Sequence, residues 1–158
     1  MPETTVRHAA RVLLIDDRDR VLLFRYGPNH KGHYFWVSPG GGLEAGETHE
    51  EAAQRELQEE VDLAGVELGP CRWEREITYD WFERRICQRE RWYLVRCPAL
   101  ELDADHLERL QAEGVRDAHW WTVDELRATK EFLITRRLPD LVADVLAGHI
   151  PSEVTQLP

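Results

Sequence analysis

Apolar and polar positions fall in short blocks along the chain, and the blocks predict a mixed succession of strands and helices. The segments Arg11–Asp16 and Val21–Tyr26 are apolar and β-rich, and the polar run Asp17-Arg18-Asp19-Arg20 between them predicts a hairpin. Gly27 to Gly32 reads as a loop, with a glycine at each end and Pro28 between them. His33 to Val37 is a third strand, running into Ser38-Pro39-Gly40-Gly41-Gly42. A helix is expected from His49 to Leu63, a stretch free of Gly and Pro; Thr48 and Glu51 before it have the spacing of a capping box. Strands follow at Cys71–Tyr79 and Ile86–Cys97, the second alternating polar and bulky residues as a half-buried strand does. Asp103–Ala112 predicts a short helix, Ala118–Thr122 a strand and Val123–Ala128 a helical turn. Phe132–Ala147 predicts a closing helix, with Pro139 as an interruption or new start, and Ile150–Pro158 a frayed, flexible tail. No repeat or long linker divides the chain. A single domain over residues 1–158 is expected, of the α/β or α+β class with strands and helices in layers.

Composition changes this picture mainly by exclusion. The apolar run Val12–Ile15 is too short for a signal peptide or a membrane span, and no later run reaches the length a span requires, so a cytoplasmic protein is expected. Cys71, Cys87 and Cys97 are odd in number and lack C-x-x-C spacing, which favours reduced thiols over a disulfide framework or a zinc ribbon. The histidines show no pair at zinc-ligand spacing. The net charge of −10 argues against wrapping a nucleic-acid duplex. Small phosphorylated substrates stay open, because divalent cations invert the local sign.

The helix carries the chemistry. At about 100° per residue, Glu56, Glu59 and Glu60 share one face, Ala53, Leu57 and Val61 form an apolar stripe, and Glu51, Gln58 and Asp62 point toward solvent. Ala52 lies toward the acidic side, where a small residue leaves room. Three carboxylates so close repel one another. Either they form a solvated acidic face, or they are hard oxygen ligands for Mg²⁺ or Mn²⁺.

The surrounding residues favour the second reading. The stretch GGLEAGETHEEAAQRELQEEVDL, Gly41–Leu63, closely resembles the Nudix box, with Asp62 where that family usually has Gly. The preceding W-x-x-P-G-G-G of Trp36–Gly42 and the later Trp120-Trp121 and Asp124-Glu125-Leu126 also look like Nudix hydrolases. The resemblance implies an α/β/α sandwich with a mixed sheet. It also implies a Mg²⁺-dependent hydrolase that cleaves the pyrophosphate linkage of a nucleoside diphosphate joined to another group, by water attack at phosphorus. By similarity, Glu56, Glu59 and Glu60 would hold the metal with a carbonyl of Gly40 or Gly41, and Arg55 would orient a catalytic glutamate. The usual Gly at position 62 ends the helix in a left-handed conformation, which Asp also adopts at modest cost. Glu47 would tie the glycine loop to the helix at the edge of the substrate site, and Gly41 and Gly42 would let substrate approach closely.

Other assignments are less determined. Glu113, in a loop before the Trp pair, is the candidate for a supplementary base or ligand, with an exposed loop glutamate as the competing reading. Gln88 and Glu90 share a strand face and are candidates for the cleft; Trp36, Tyr34 and Trp92 are candidates either to stack a base or to pack the core. The arginines Arg84, Arg85, Arg89 and Arg91 either reach phosphates or line a solvated edge. Nucleoside triphosphates, ADP-ribose, dinucleoside polyphosphates, nucleotide sugars and coenzyme A all suit the box, and a homodimer is open. The alternatives to the hydrolase are a non-catalytic nucleotide-binding sensor of the same fold, an isopentenyl-diphosphate-type isomerase, whose additional Cys and Glu motifs are not evident, and an interaction protein with a merely acidic helix.

Overall fold

In a computed structural model, which describes residues 3–158, the strands are β1 (Thr4–Asp16), β2 (Val21–Tyr26), β3 (Phe35–Val37) and β4 (Gly40–Gly42), followed by helix α1 (His49–Val61). Then come β5 (Trp73–Trp81), β6 (Arg84–Cys97), α2 (Ala104–Ala112), β7 (Asp117–Trp121) and α3 (Val123–Ala128), and last β8 (Phe132–Leu133), α4 (Leu138–Leu146) and β9 (Thr155–Leu157). Internal contacts gather these into two units, residues 3–12, 40–94 and 151–158 in the first and residues 13–39 and 95–150 in the second.

The first unit carries the box. Short β4 pairs antiparallel with β1, Ala10 opposite Gly41, and β5 pairs antiparallel with β6 along its whole length, Trp73 opposite Trp92 and Trp81 opposite Arg84. The outward side of that hairpin is laced with ion pairs between directly opposed residues, Arg91 with Glu74, Arg89 with Glu76 and Arg85 with Asp80. The arginine-rich patch is thus a solvated face whose charges are met across the strands. Helix α1 lays its apolar stripe inward. Ala52, Ala53 and Leu57 are fully buried, while Glu51, Gln58 and Asp62 are exposed. Its start is a complete capping box, Thr48 accepting from the Glu51 N–H. Its end comes at Val61, because Asp62 takes the left-handed conformation (φ 58°) as C-cap.

The tail differs from expectation. Thr155–Leu157 pairs parallel with Trp73–Arg75, Thr155 N–H donating to the Arg72 carbonyl, and Arg72 reaches the Pro151 carbonyl at 2.9 Å. The free edge of β5 offers unpaired backbone groups, and satisfying them orders residues that composition alone would leave frayed.

The second unit holds the hairpin of β2 with the end of β1, Ile15 opposite Val21. Here β1 and β2 are buried on both faces, from Leu13 to Ile15 and from Val21 to Phe24. At the corner, Asp16 is fully buried; it accepts from the Arg18 and Arg20 N–H groups and from the Arg20 guanidinium at 2.8 Å. Strand β7 pairs antiparallel with β2, and β8 parallel with β3. The expected closing helix is split: Phe132–Leu133 is a strand and the helix starts only at Leu138. Pro139 sits in its first turn, where a missing N–H costs nothing, and could not sit mid-helix. Parallel and antiparallel pairs together make this the mixed sheet with helices that the sequence led us to expect.

Candidate active site

The glycine strand β4 is threaded through a space too narrow for side chains. A Cβ on Gly40 would lie 2.1 Å from the Ala10 carbonyl oxygen, and Gly40 has φ +139°, so only glycine fits. A Cβ on Gly41 would stand 2.7 Å from Glu56 Oε1, and one on Gly42 would stand 3.0 Å from the Arg7 guanidinium. Pinned in this way, the strand places its backbone against α1. The Gly40 N–H donates to Glu60 Oε1 at 2.9 Å, and the Gly42 carbonyl accepts from Arg55 at 3.2 Å.

Arg55 is the hub. Its Nε and one terminal nitrogen grip Glu47 at 2.8 and 2.9 Å, and the other terminal nitrogen reaches Glu56 Oε1 at 3.0 Å. Glu59 is met only at 3.5 Å, so Arg55 holds Glu47 and Glu56 more firmly than the neighbour one turn on. This two-pronged bond to Arg55, with a backbone bond from Glu44, draws the Glu47 carboxyl down to about 2; the same bond to Glu47 leads the interactions that push Arg55 upward. Glu47 therefore ties the glycine loop to the helix.

Two of the three box carboxylates are drawn together. Glu60 is 5% exposed and its carboxyl is raised well above the usual range, first by burial and then by the charge of Glu56. Glu56 is also raised by burial, against the pull of Arg55, and the two side chains are hydrogen-bonded to each other. Two carboxylates brought this close repel each other, a cost that a cation between them relieves. The third, Glu59, has a side chain 54% exposed on the same helix face. Among the described residues no three acidic, His or Cys side chains form a ready metal cage. The donor set instead suits a hard divalent cation such as Mg²⁺, which takes one or two carboxylates and completes its shell with water and substrate phosphate oxygens.

Glu90 and Gln88 lie in the same unit, on one face of β6, and both are buried. Glu90 accepts from Gln88 at 2.7 Å, from Trp92 at 3.1 Å, from Arg75 at 3.2 Å and from Arg11 at 3.4 Å. Gln88 in turn accepts from Tyr79 and Arg7. Sequence reasoning missed Arg7, Arg11, Arg75 and Tyr79; the two-residue repeat of β1 and β5, which puts each pair on one face, was the signal available.

Trp36 is 5% exposed in the second unit, packed edge-on against Trp121 with ring centroids 5.0 Å apart and hydrogen-bonded to Glu131. Trp92 is fully buried, and Tyr34 is covered by the Arg25 guanidinium at 4.0 Å. Both tryptophan side chains are buried. Glu113, also in the second unit, is the exposed C-cap of α2.

Against this geometry, the NUDIX domain matches residues 5–142. The chain belongs to the Nudix family. With the family comes its enzyme class, a hydrolase acting on acid anhydrides. An RNA pyrophosphohydrolase from Marinomonas sp. (strain MWYL1) is 28% identical over 144 residues, spanning 83% of this chain and 87% of its own. Among solved structures, the MutT protein of Methanosarcina mazei Go1 shares the Nudix fold over 94% of this chain and 98% of its own, with a TM-score of 0.64 at 14% identity. A C. elegans Ap4A hydrolase does so over 91% and 98%, with a TM-score of 0.56 at 18% identity. The described part of this Nudix protein has no helix long and apolar enough to cross a membrane.

Proposed function

We propose that this Nudix protein, acting as a single domain, is a Mg²⁺-dependent hydrolase that cuts the pyrophosphate linkage of a nucleoside diphosphate joined to another group, with Mn²⁺ as a substitute metal. The observation that carries the reading is the buried Glu56–Glu60 contact, held by the Gly40 N–H on one side and by Arg55 on the other. Names such as RNA pyrophosphohydrolase and Ap4A hydrolase among similar proteins favour substrates with a phosphoanhydride chain. The three unpaired thiols favour a reducing, cytoplasmic setting.

In this reading Glu56 and Glu60 hold the cation, with Glu59 and the carbonyl of Gly40 completing the protein's share. The bound metal supplies charge to the phosphoryl oxygens and acidity to a water molecule. Arg55 fixes the Glu56 carboxylate in one rotamer, and Glu47 fixes Arg55, so the ligand geometry is set before substrate arrives. Gly41 and Gly42 keep side chains out of the path of the phosphate chain. Glu59 is open to water and suits a role as proton acceptor, a task worth about 10²- to 10⁴-fold in rate. Glu113 is the second candidate for that task.

The test is turnover of a panel (nucleoside triphosphates, ADP-ribose, dinucleoside polyphosphates, triphosphate-ended RNA) with Mg²⁺, beside Glu59→Gln and Glu56→Gln. Turnover by the wild type that both variants lose supports the assignment. Silence on every compound with either metal points to a nucleotide sensor, and full activity in the variants refutes the metal and base roles.

A further inference from the structure

We propose that the uncovered edge of β5, Glu76–Trp81, is an interface for a second copy of this chain, which adds its own β5 antiparallel with Tyr79 facing Tyr79.

Strand β5 has nine residues, and β9 covers only Trp73–Arg75. The opposite edge of β5 is taken by β6. From Glu76 to Trp81 the outer edge therefore meets no strand among the described residues. Trp81 and Arg84 flank a two-residue turn and so form a hydrogen-bonded pair, and such pairs alternate along an antiparallel ladder. The N–H and C=O groups of Glu76, Thr78 and Asp80 then point outward, as the Arg72 carbonyl does where it meets Thr155. Edges of this kind are commonly guarded by Pro or Lys. Residues 76–81 contain neither, and Ile77, Thr78, Tyr79 and Trp81 are strong strand formers. The charges of Glu76 and Asp80 are met within the chain by Arg89 and Arg85.

Side chains select the occupant. Ile77, Tyr79 and Trp81 share one face of β5, and Glu76, Thr78 and Asp80 the other. Trp81 is 61% exposed, and Phe82 beside it is 89% exposed at φ 55°, a turn position where glycine or asparagine is the cheaper residue. The apolar face thus runs out into solvent. Two such edges join only where even-numbered residues stand opposite each other, because those carry the outward groups. Thr78 opposite Thr78 would set Glu76 against Asp80, carboxylate to carboxylate. A shift of two positions sets Thr78 against Asp80, Ile77 against Trp81 and Tyr79 against Tyr79. That register joins apolar to apolar on one face and hydroxyl to carboxylate on the other, while each Asp80 keeps its own Arg85 at 3.3 Å. Every contact is repeated about a twofold axis through Tyr79, the mark of a closed pair of identical chains.

Sedimentation velocity across a concentration series tests this, beside Thr78→Pro and Trp81→Lys. Proline at 78 removes an outward N–H and leaves the β6 ladder its donors; position 81 is exposed, so Trp81→Lys keeps the test sound if proline disturbs the hairpin. Wild type is expected to pass from monomer to dimer as concentration rises. Each variant that keeps its circular dichroism should raise the dimer dissociation constant about 10-fold or more. Tyr79→Cys reads the register. Facing residues of a non-hydrogen-bonded pair lie about 4.5 Å apart, within disulfide reach, so mild oxidation should link two copies through residue 79. Peptide mapping distinguishes that link from any made by Cys71, Cys87 or Cys97. A wild type that stays monomeric up to about 1 mM overturns the interface and leaves the edge to an extended segment of some other protein. A dimer that Trp81→Lys leaves intact, or one that Tyr79→Cys fails to link, overturns it as well.

Discussion

Arg55 holds five acceptor contacts on one side chain: two oxygens of Glu47, one each of Glu56 and Glu59, and the Gly42 carbonyl. Its loss should be felt through Glu56 without touching substrate. Arg55→Ala is expected to lower kcat by about 10²-fold, the cost of a misplacement on the order of 1 Å, with a smaller change in KM. Arg55→Lys should recover little, because an ammonium cannot grip Glu47 with two prongs. At Asp16 the same logic governs stability. Burial raises the Asp16 carboxyl, but the bonds from the Arg20 N–H and guanidinium and from Arg18 outweigh it and hold the group below its ordinary 3.8. The folded state therefore gains from the charged form above the unfolded value, and loses that gain as pH falls through the lower folded value. Urea denaturation should find Asp16→Asn about 2 kcal/mol less stable than wild type at pH 7, with the gap closing as pH is lowered below 4.

At the scale of elements, β4 is the piece most exposed to small changes. Gly40→Ala must displace the Ala10 carbonyl and hold alanine at φ +139°, and is expected to lower the thermal midpoint by at least ~5 °C along with activity. The sequence displayed three glycines here but not a strand, because glycine carries no strand propensity and the pairing is decided by the clash-free approach of β1. Helix α1, by contrast, was legible almost to the residue: a capping box, an apolar stripe and a cap-tolerant Asp62 are all local signals. The box carboxylates were legible as a face, though not the upward shift of Glu56 and Glu60, which depends on burial. The split of the closing helix was half legible. Pro139 marked the start, but Phe132–Leu133 became a strand through pairing with Phe35 and Trp36, a partner nearly a hundred residues earlier. The two-residue repeat put Arg7 and Arg11 on one face of β1, but their meeting with Gln88 and Glu90 was not legible, since it is made across to another strand.

On the scale of the whole molecule, the tail is the clearest departure from expectation. Removing residues 152–158 strips the parallel partner from Trp73–Arg75 and leaves an edge strand bare. The truncated protein is expected to melt several degrees lower and to aggregate on heating, which scanning calorimetry with light scattering would register; an unchanged profile would mean that β9 contributes nothing to stability. The same pairing has a consequence in time. The box-bearing unit is assembled from three stretches of chain, and its last strand closes on a partner some eighty residues before it. On a ribosome, where residues emerge from the N-terminus onward, the glycine strand and the glutamate helix are made long before Thr155–Leu157 can join them. The box-bearing unit must therefore wait, incomplete, until residues 151–158 have been made, while the strands and helices of residues 95–150 are made in the interval.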